Sequence, residues 1–144
     1  MAEQNFKNHS RYVPFHHFVA PTLILALMVG SFINLADCIK RGEGLYSASL
    51  ICLVGPILTI IWWYSRVFAL RAQDRAIRAE LNFRYFVATG KPLSSNLRMR
   101  QIIALRFAGD DEFTELVKRA ENEKLGAKEI KASIKNWKAD HHRV

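Results

Sequence analysis

The chain has 144 residues, half of them apolar, and a formal net charge of +8 at pH 7. Its apolar residues are concentrated in the first half and its charged residues in the second, so the average composition describes neither half. Two cysteines, Cys38 and Cys52, are too few for a disulfide framework, which excludes a small disulfide-stapled scaffold.

The first 17 residues show no sustained hydrophobic period, and we expect an irregular or short interfacial segment there. Aromatic rings prefer the headgroup level of a membrane, so Tyr12 is a candidate interfacial anchor. His9, His16 and His17 have no cysteine or acidic residue nearby to complete a metal shell. No metal site is therefore predicted.

Two long runs without Asp, Glu, Lys or Arg follow, at residues 18–36 and 45–65. A transmembrane helix needs about 20 mostly apolar residues to cross the hydrocarbon core. The segment between the runs is short, charge-neutral and contains glycine, which is typical of a turn. We predict two spans that form a helical hairpin within residues 18–69.

The end of the second run indicates the orientation of this hairpin. Trp62, Trp63 and Tyr64 are candidate interfacial anchors, because aromatic rings collect at the headgroup level. From residue 66 to residue 106 nine Lys and Arg residues accompany only two acidic residues. Cationic residues stay on the cytosolic side, so we predict that both termini are cytosolic.

The basic residues after the second span have two interpretations. Adjacency to a span favours anionic lipid headgroups or an acidic partner surface as their ligands. The positive-inside rule alone also accounts for part of the basic block, and this alternative stays open. Nucleic acid is not predicted as a partner, because no recognised module or set of aromatic platforms is present. The candidate contact residues are Arg66, Arg71, Arg75, Arg78 and Arg84.

Small residues recur every three or four positions in both spans. In lipid, helices associate by the close contact that small side chains permit. Folding the chain about residue 40 or 41 places the two sets opposite each other, with Asn34 bonded to Ser47, Ser49 or a carbonyl. The alternative is that one set meets another subunit. The predicted packing residues are Ala26, Gly30, Asn34, Ala48, Cys52, Gly55 and Thr59.

Residues 70–144 are predicted to form a cytosolic helical region. No Gly or Pro lies between Trp63 and Gly90, so we expect the second helix to continue into the cytosol. Three short amphipathic helices should follow. We expect the first to be capped by Ser94 or Ser95 and to end near Ala108, the second to be capped by Asp110 or Asp111, and the third to include Ile134 and Trp137. The fold class is thus all-α: a transmembrane helical hairpin with a long second helix and a small C-terminal cytosolic bundle.

Motifs of known chemistry are missing from the sequence. It has no Gly-rich phosphate loop, Cys-x-x-Cys, His-Glu-x-x-His or nucleophile elbow. His141 and His142 beside Asp140 lie in a terminal tail, which is a poor scaffold for a metal. We therefore expect no enzymatic activity, cofactor or small-molecule substrate.

Three stretches carry a resemblance to a known family: AEQNFKNHSRYVP at the start, LRMRQIIALRFAGDDEFTELVKRA, and IKNWKADHHRV at the end. They resemble a group of short bacterial two-span proteins that is known only as a domain of unknown function. The resemblance covers nearly the whole chain. It implies a bacterial inner-membrane protein with no assigned activity.

These observations favour a protein that works by binding. We expect an accessory, assembly or scaffold subunit of a larger bacterial inner-membrane complex. The alternative is a homo-oligomeric channel, in which several hairpins surround a path lined by Ser31, Asn34, Ser49 and Thr59. No Asp, Glu, Lys, Arg or His lies inside either span, which weakens an ion-path interpretation.

Overall fold

A computed structural model of the chain describes residues 12–140, and within this range every regular element is helical. A π-helical turn, Phe15–Val19, leads directly into α1, Ala20–Arg41. Helix α2 spans Leu45–Thr89, and three shorter helices follow: α3, Met99–Leu105; α4, Asp110–Asn122; and α5, Ala127–Ser133. The all-α class is confirmed for these residues.

The turn between α1 and α2 depends on glycine. Gly42 ends α1 at φ 75°, in the left-handed region, and its N–H donates to the carbonyl of Cys38 at 2.9 Å. Gly44 also has a positive φ, 71°. Only glycine adopts this region without steric cost, so the pair allows the chain to reverse within three residues.

Helix α2 is continuous through Pro56 and ends at Gly90, whose φ is 71°. The absence of Gly and Pro between Trp63 and Gly90 correctly predicted this length. Within the described residues two helical stretches, Phe15–Arg41 and Leu45–Thr89, are long and apolar enough to cross a membrane.

The chain divides into two compact units, one ending at Phe68 and the other beginning at Ala69. We call the first the N-terminal unit and the second the C-terminal unit. In the N-terminal unit the thiol of Cys52 donates to the carbonyl of Ser31 at 3.2 Å, so α1 and α2 lie in close contact. Ser31 and Ala48 are buried there.

The C-terminal unit has a continuous hydrophobic core. Gln101 is a polar member of its interior: it accepts from the N–H of Arg98 and donates to the carbonyls of Ala120 and Leu125 at 3.2 and 2.9 Å. These bonds satisfy both the carbonyl and the NH₂ group of the amide, so they offset the free-energy cost of removing this polar side chain from water. The buried apolar residues of this core are Ile77, Leu81, Leu97, Ile102, Ala104, Leu105, Ala108, Phe113, Leu116, Val117, Ala120 and Ile130.

The boundaries of the short helices differ from the prediction. Helix α3 ends at Leu105 and α5 at Ser133, so neither Ala108 nor Trp137 is helical. The segments after these helices pair instead, in an isolated antiparallel bridge between Ala108 and Trp137. The Trp137 ring also stacks on Phe107 at 4.6 Å between centroids. This pairing satisfies backbone groups that the continued helices would have used.

The predicted caps were also wrong. Arg98 precedes α3 and Gly109 precedes α4, so Asp110 is the first residue of α4 rather than its cap. The hydroxyl of Ser94 donates to the carboxylate of Glu121 instead of capping a helix. Tertiary hydrogen bonds compete here with local capping.

Candidate interaction surfaces

The contact between α1 and α2 uses small residues on α2. Ala48 and Gly55 are buried and Cys52 is half-buried, whereas Thr59 is exposed and its hydroxyl donates to the carbonyl of Gly55 in its own helix. A Cβ atom on Gly55 would overlap Cγ of Met28. At Gly55 the contact between α1 and α2 therefore leaves no room for a larger side chain.

On α1 the predicted packing residues do not face α2 as expected. Ala26, Gly30 and Asn34 are exposed, and a Cβ atom on Gly30 would meet nothing within 4 Å. Ser47 and Ser49 donate to carbonyls of their own helix, at Gly44 and Tyr46, and not to Asn34. After its first turn, the residues of α1 that are buried or half-buried are instead Ile24, Leu27, Met28, Ser31, Leu35 and Cys38.

The reason for this error is rotation of α1 about its axis. The prediction placed Gly30 opposite Cys52, and the structure places Ser31 there, a shift of one residue. One residue rotates a helix face by about 100°. A glycine on one helix also accommodates a larger side chain on the other, and Met28 fills that space at Gly55. Two small stripes need not face each other.

The candidate aromatic anchors have two different environments. Tyr12, Trp63 and Tyr64 are exposed. Trp62 is half-buried: its indole N–H donates to the carbonyl of His16 at 2.9 Å, and its ring stacks on His16 with 5.3 Å between centroids. Trp62 thus fastens the π-helical turn to α2.

The candidate basic residues also fall into two groups. Arg71, Arg75 and Arg78 are exposed, and Arg66 is half-buried. Arg84 is engaged inside the C-terminal unit, where its guanidinium binds the carboxylate of Asp110 at 2.7 Å and the carbonyl of Ala108 at 2.8 Å.

The guanidinium of Arg84 also lies 4.0 Å from the centre of the Phe113 ring, and only 17% of the side chain is exposed. Arg84 is therefore held inside its own unit, and its contact with lipid or an acidic partner stays a prediction. Spacing along α2 does not distinguish it from its neighbours, because Asp110 comes from another helix.

A cleft of about 1070 Å³ opens in the C-terminal unit, and we call it the basic cleft. It is formed by residues 96–101 and 120–129, which surround the buried amide of Gln101. Four cationic residues line it: Arg98, Arg100, Lys124 and Lys128. In the described part of the chain none of the four forms an ion pair.

The carboxylates of the basic cleft are already engaged. Glu121 accepts from Ser94 and from the amide of Asn96, and Glu129 accepts from the N–H of Gly126. Lys124 follows the end of α4 with φ 52°, a left-handed conformation that is costly for a residue with a Cβ atom. The cleft therefore presents positive charge that the unit itself does not neutralise.

Sequence analysis did not find the basic cleft. Arg98 precedes α3, Arg100 lies in α3, Lys124 follows α4 and Lys128 lies in α5, so no helical period connects the four cations. The only available signal was the basic excess, which included Arg98 and Arg100.

A cluster that could hold a metal ion is not assembled in residues 12–140. No set of three or more His, Cys, Asp and Glu side chains converges there. A hydrogen bond to Glu123 raises the pKa of Arg119. This exposed ion pair joins the last turn of α4 to the residue that follows it, so it supports the end of the helix. His141, His142 and most of the predicted interfacial segment, residues 1–11, lie outside the described residues.

The fold defines an all-helical protein with two helices that are long and apolar enough to span a membrane. The chain belongs to a family of unknown function, DUF6526, whose family model matches residues 1–144. The predicted resemblance to an uncharacterised domain is thus confirmed. No curated protein and no solved structure matches the chain.

Proposed function

We propose that the protein is a non-catalytic, membrane-anchored interaction protein: an accessory, assembly or scaffold subunit of a larger complex in a bacterial inner membrane. The observation that carries the proposal is the exposure of large apolar side chains along α1 and the first half of α2. Leu23, Phe32 and Leu53 are each more than half exposed, in a chain that buries Phe107 and Phe113 completely.

A lipid bilayer is the solvent that favours exposure of these apolar side chains. Leaving a Leu, Ile or Phe side chain in water rather than burying it costs about 1.5–3 kcal/mol. Soluble monomers seldom expose a continuous apolar patch larger than a few hundred Å². The N-terminal unit has a small interior and a broad apolar exterior, which favours two membrane spans in a hairpin.

Charge supports a cytosolic location for both termini. Around the turn at residues 42–44, the positive charges of Lys40 and Arg41 are balanced by the negative charges of Asp37 and Glu43. The other end of the second apolar run is followed by exposed arginines that include Arg71. This asymmetry is the one that the positive-inside rule associates with a cytosolic end, where the short helices would form a small bundle.

The basic cleft supplies a contact for a partner. Four cations without ion pairs among the described residues favour an acidic segment as the ligand, and the cleft is large enough for several side chains. Binding such a segment would tether the partner to the membrane. Anionic lipid headgroups would be a second ligand for the exposed arginines of α2.

A homo-oligomeric channel is the second candidate. One observation favours it: Ala26, Gly30 and Asn34 lie on an exposed face of α1, where another copy could approach closely. Of the four side chains expected along the channel path, however, Ser31 is buried and donates to the carbonyl of Met28.

Native mass measurement after purification in mild detergent tests the proposal. We expect the wild-type chain to recover unrelated chains in a fixed ratio. Reversal of two cleft charges, Arg100→Glu with Lys128→Glu, should release them. The matched control Lys91→Glu with Lys118→Glu makes the same charge change at exposed positions outside the cleft and should retain them. A homo-oligomer would support the channel instead, and a monomer would contradict both candidates.

A further inference from the structure

A second, smaller cavity of the C-terminal unit lies against the basic face of α2. Its volume is about 440 Å³. One wall is α2, which contributes two arginines three residues apart and therefore on the same helix face. The other wall is the segment that follows α2. The lining residues are Arg75, Arg78, Ala79, Asn82, Leu93, Ser94 and Ser95.

Hydrogen bonds hold the second wall in place. The side-chain carbonyl of Asn82 accepts from the N–H of Leu93 at 2.8 Å, which ties the segment to α2. Ser94 accepts from the N–H of Asn96 at 3.2 Å and donates to Glu121. The wall is thus fixed from both sides before any ligand arrives, which lowers the entropic cost of binding.

The charges around the cavity favour an anion. Arg75 and Arg78 are exposed and form no ion pair with any residue between 12 and 140. No acidic residue is among those that line the cavity, and Glu121, which accepts from the lining residue Ser94, is also bonded to the Asn96 amide. Ser95, which lies in the segment that forms the second wall, adds a hydroxyl to the lining.

We propose that this cavity binds a phosphomonoester. Guanidinium groups match phosphate oxygens in fork geometry, and two of them neutralise the two charges that a phosphomonoester carries near neutral pH. The ester is either the headgroup of a phosphatidic acid-type lipid or a free sugar or glycerol phosphate. The lipid source rests on the membrane location proposed above, whereas the free source does not.

The test uses the full chain in a neutral detergent. Calorimetric titration with glycerol 3-phosphate measures the free source, and native mass spectrometry with short-chain phosphatidic acid, beside phosphatidylcholine as reference, measures the lipid source. We expect one bound phosphomonoester per chain, and we expect the variant Arg75→Gln with Arg78→Gln to bind at least about tenfold more weakly.

Two further variants separate the cavity from general charge attraction. Lys91→Gln with Lys118→Gln removes the same charge from exposed positions outside the cavity, and its affinity should stay within about twofold of wild type. Ser95→Leu fills the cavity without changing charge and should weaken binding. Equal affinity in all four proteins, or binding of neither ester to wild type, would overturn the proposal.

The outcomes also identify the source of the phosphate. Preference for phosphatidic acid over glycerol 3-phosphate assigns the cavity to lipid, and equal affinity assigns it to free esters. Failure here is distinguishable from failure of the proposed function, because the Arg75→Gln with Arg78→Gln variant keeps an intact basic cleft. It should still recover the partner chains in the native mass measurement.

Discussion

The two units of this protein bury side chains in opposite ways. In the C-terminal unit Phe107 and Phe113 are 0% and 1% exposed, and charged residues occupy the surface. In the N-terminal unit Leu23 and Leu53 are 63% and 56% exposed, and the contact between helices involves Gly55 and Cys52. The difference indicates that the hydrophobic effect in water drives packing of the C-terminal unit, whereas close approach of two helix backbones drives packing of the N-terminal unit.

The largest expected effect tests the hydrophobic core of the C-terminal unit. Phe113→Ala should cost about 3–5 kcal/mol of stability, because it leaves a cavity beside Tyr85 in a fully packed core. Phe86→Ala changes a side chain that is 52% exposed and should cost no more than about 0.5 kcal/mol. Pulse proteolysis of the full chain across a urea series measures both. Similar midpoints for the two variants would contradict the assigned core.

A matched pair of glycine substitutions tests the contact between α1 and α2 in the N-terminal unit. Gly55→Leu should disturb the α1–α2 contact by about 1–3 kcal/mol, because even a Cβ atom there overlaps Met28. Gly30→Leu adds the same volume at an open position and should leave the contact intact.

Disulfide trapping measures this contact. In a Cys38→Ala background we expect Ser31→Cys to form a disulfide with Cys52, because these residues meet across the helices. Blocked alkylation and mass loss report the bond. We expect it to persist with Gly30→Leu and to disappear with Gly55→Leu. Equal trapping in both variants would place the helix contact elsewhere.

Two arginines of α2 test whether an arginine that is bonded inside the C-terminal unit contributes more to stability than an exposed one. Arg84→Gln should destabilise the C-terminal unit by about 1.5 kcal/mol, because it removes bonds to Asp110 and Ala108 and the contact with Phe113. Arg78→Gln changes an exposed side chain and should stay within about 0.5 kcal/mol of wild type. The same proteolysis assay separates them. A larger loss at Arg78 than at Arg84 would reverse the assignment.

The smallest expected effect has the opposite sign. Lys124→Gly should stabilise the C-terminal unit by about 1 kcal/mol, because it relieves the left-handed conformation at φ 52°. Glu123→Gly is the comparison: its φ is −87°, so added chain entropy, together with loss of the ion pair with Arg119, should destabilise the unit. If the basic cleft binds a partner through Lys124, the stabilised variant should also bind more weakly. Destabilisation by Lys124→Gly would show that its conformation carries no strain.

Sequence analysis predicted the large elements well, because length and the absence of Gly and Pro determine them. The continuous α2, the glycine turn at its start and its end at Gly90 all followed from local pattern. Boundaries of α3 and α5 were missed because the bridge between Ala108 and Trp137 is a tertiary pairing.

The surfaces were harder to predict than the elements. Ala48, Cys52 and Gly55 of α2 lie in the helix contact, but the predicted residues of α1 do not, because a one-residue shift in pairing rotates the whole face. Arg84 and Arg78 both appeared as exposed cations, and only the position of Asp110 distinguishes them. The cations of the basic cleft come from separate segments, which no periodicity connects.

Accessibility of two engineered cysteines in sealed inner-membrane vesicles of known orientation tests the central claim most directly. In a background without Cys38 and Cys52, Glu43→Cys lies in the exposed turn and Ala132→Cys in the exposed surface of α5. An impermeant maleimide should reach Glu43→Cys only from the periplasmic face and Ala132→Cys only from the cytosolic face. Labelling of both positions from the same face, or recovery of the chain in the soluble fraction, would contradict the membrane hairpin.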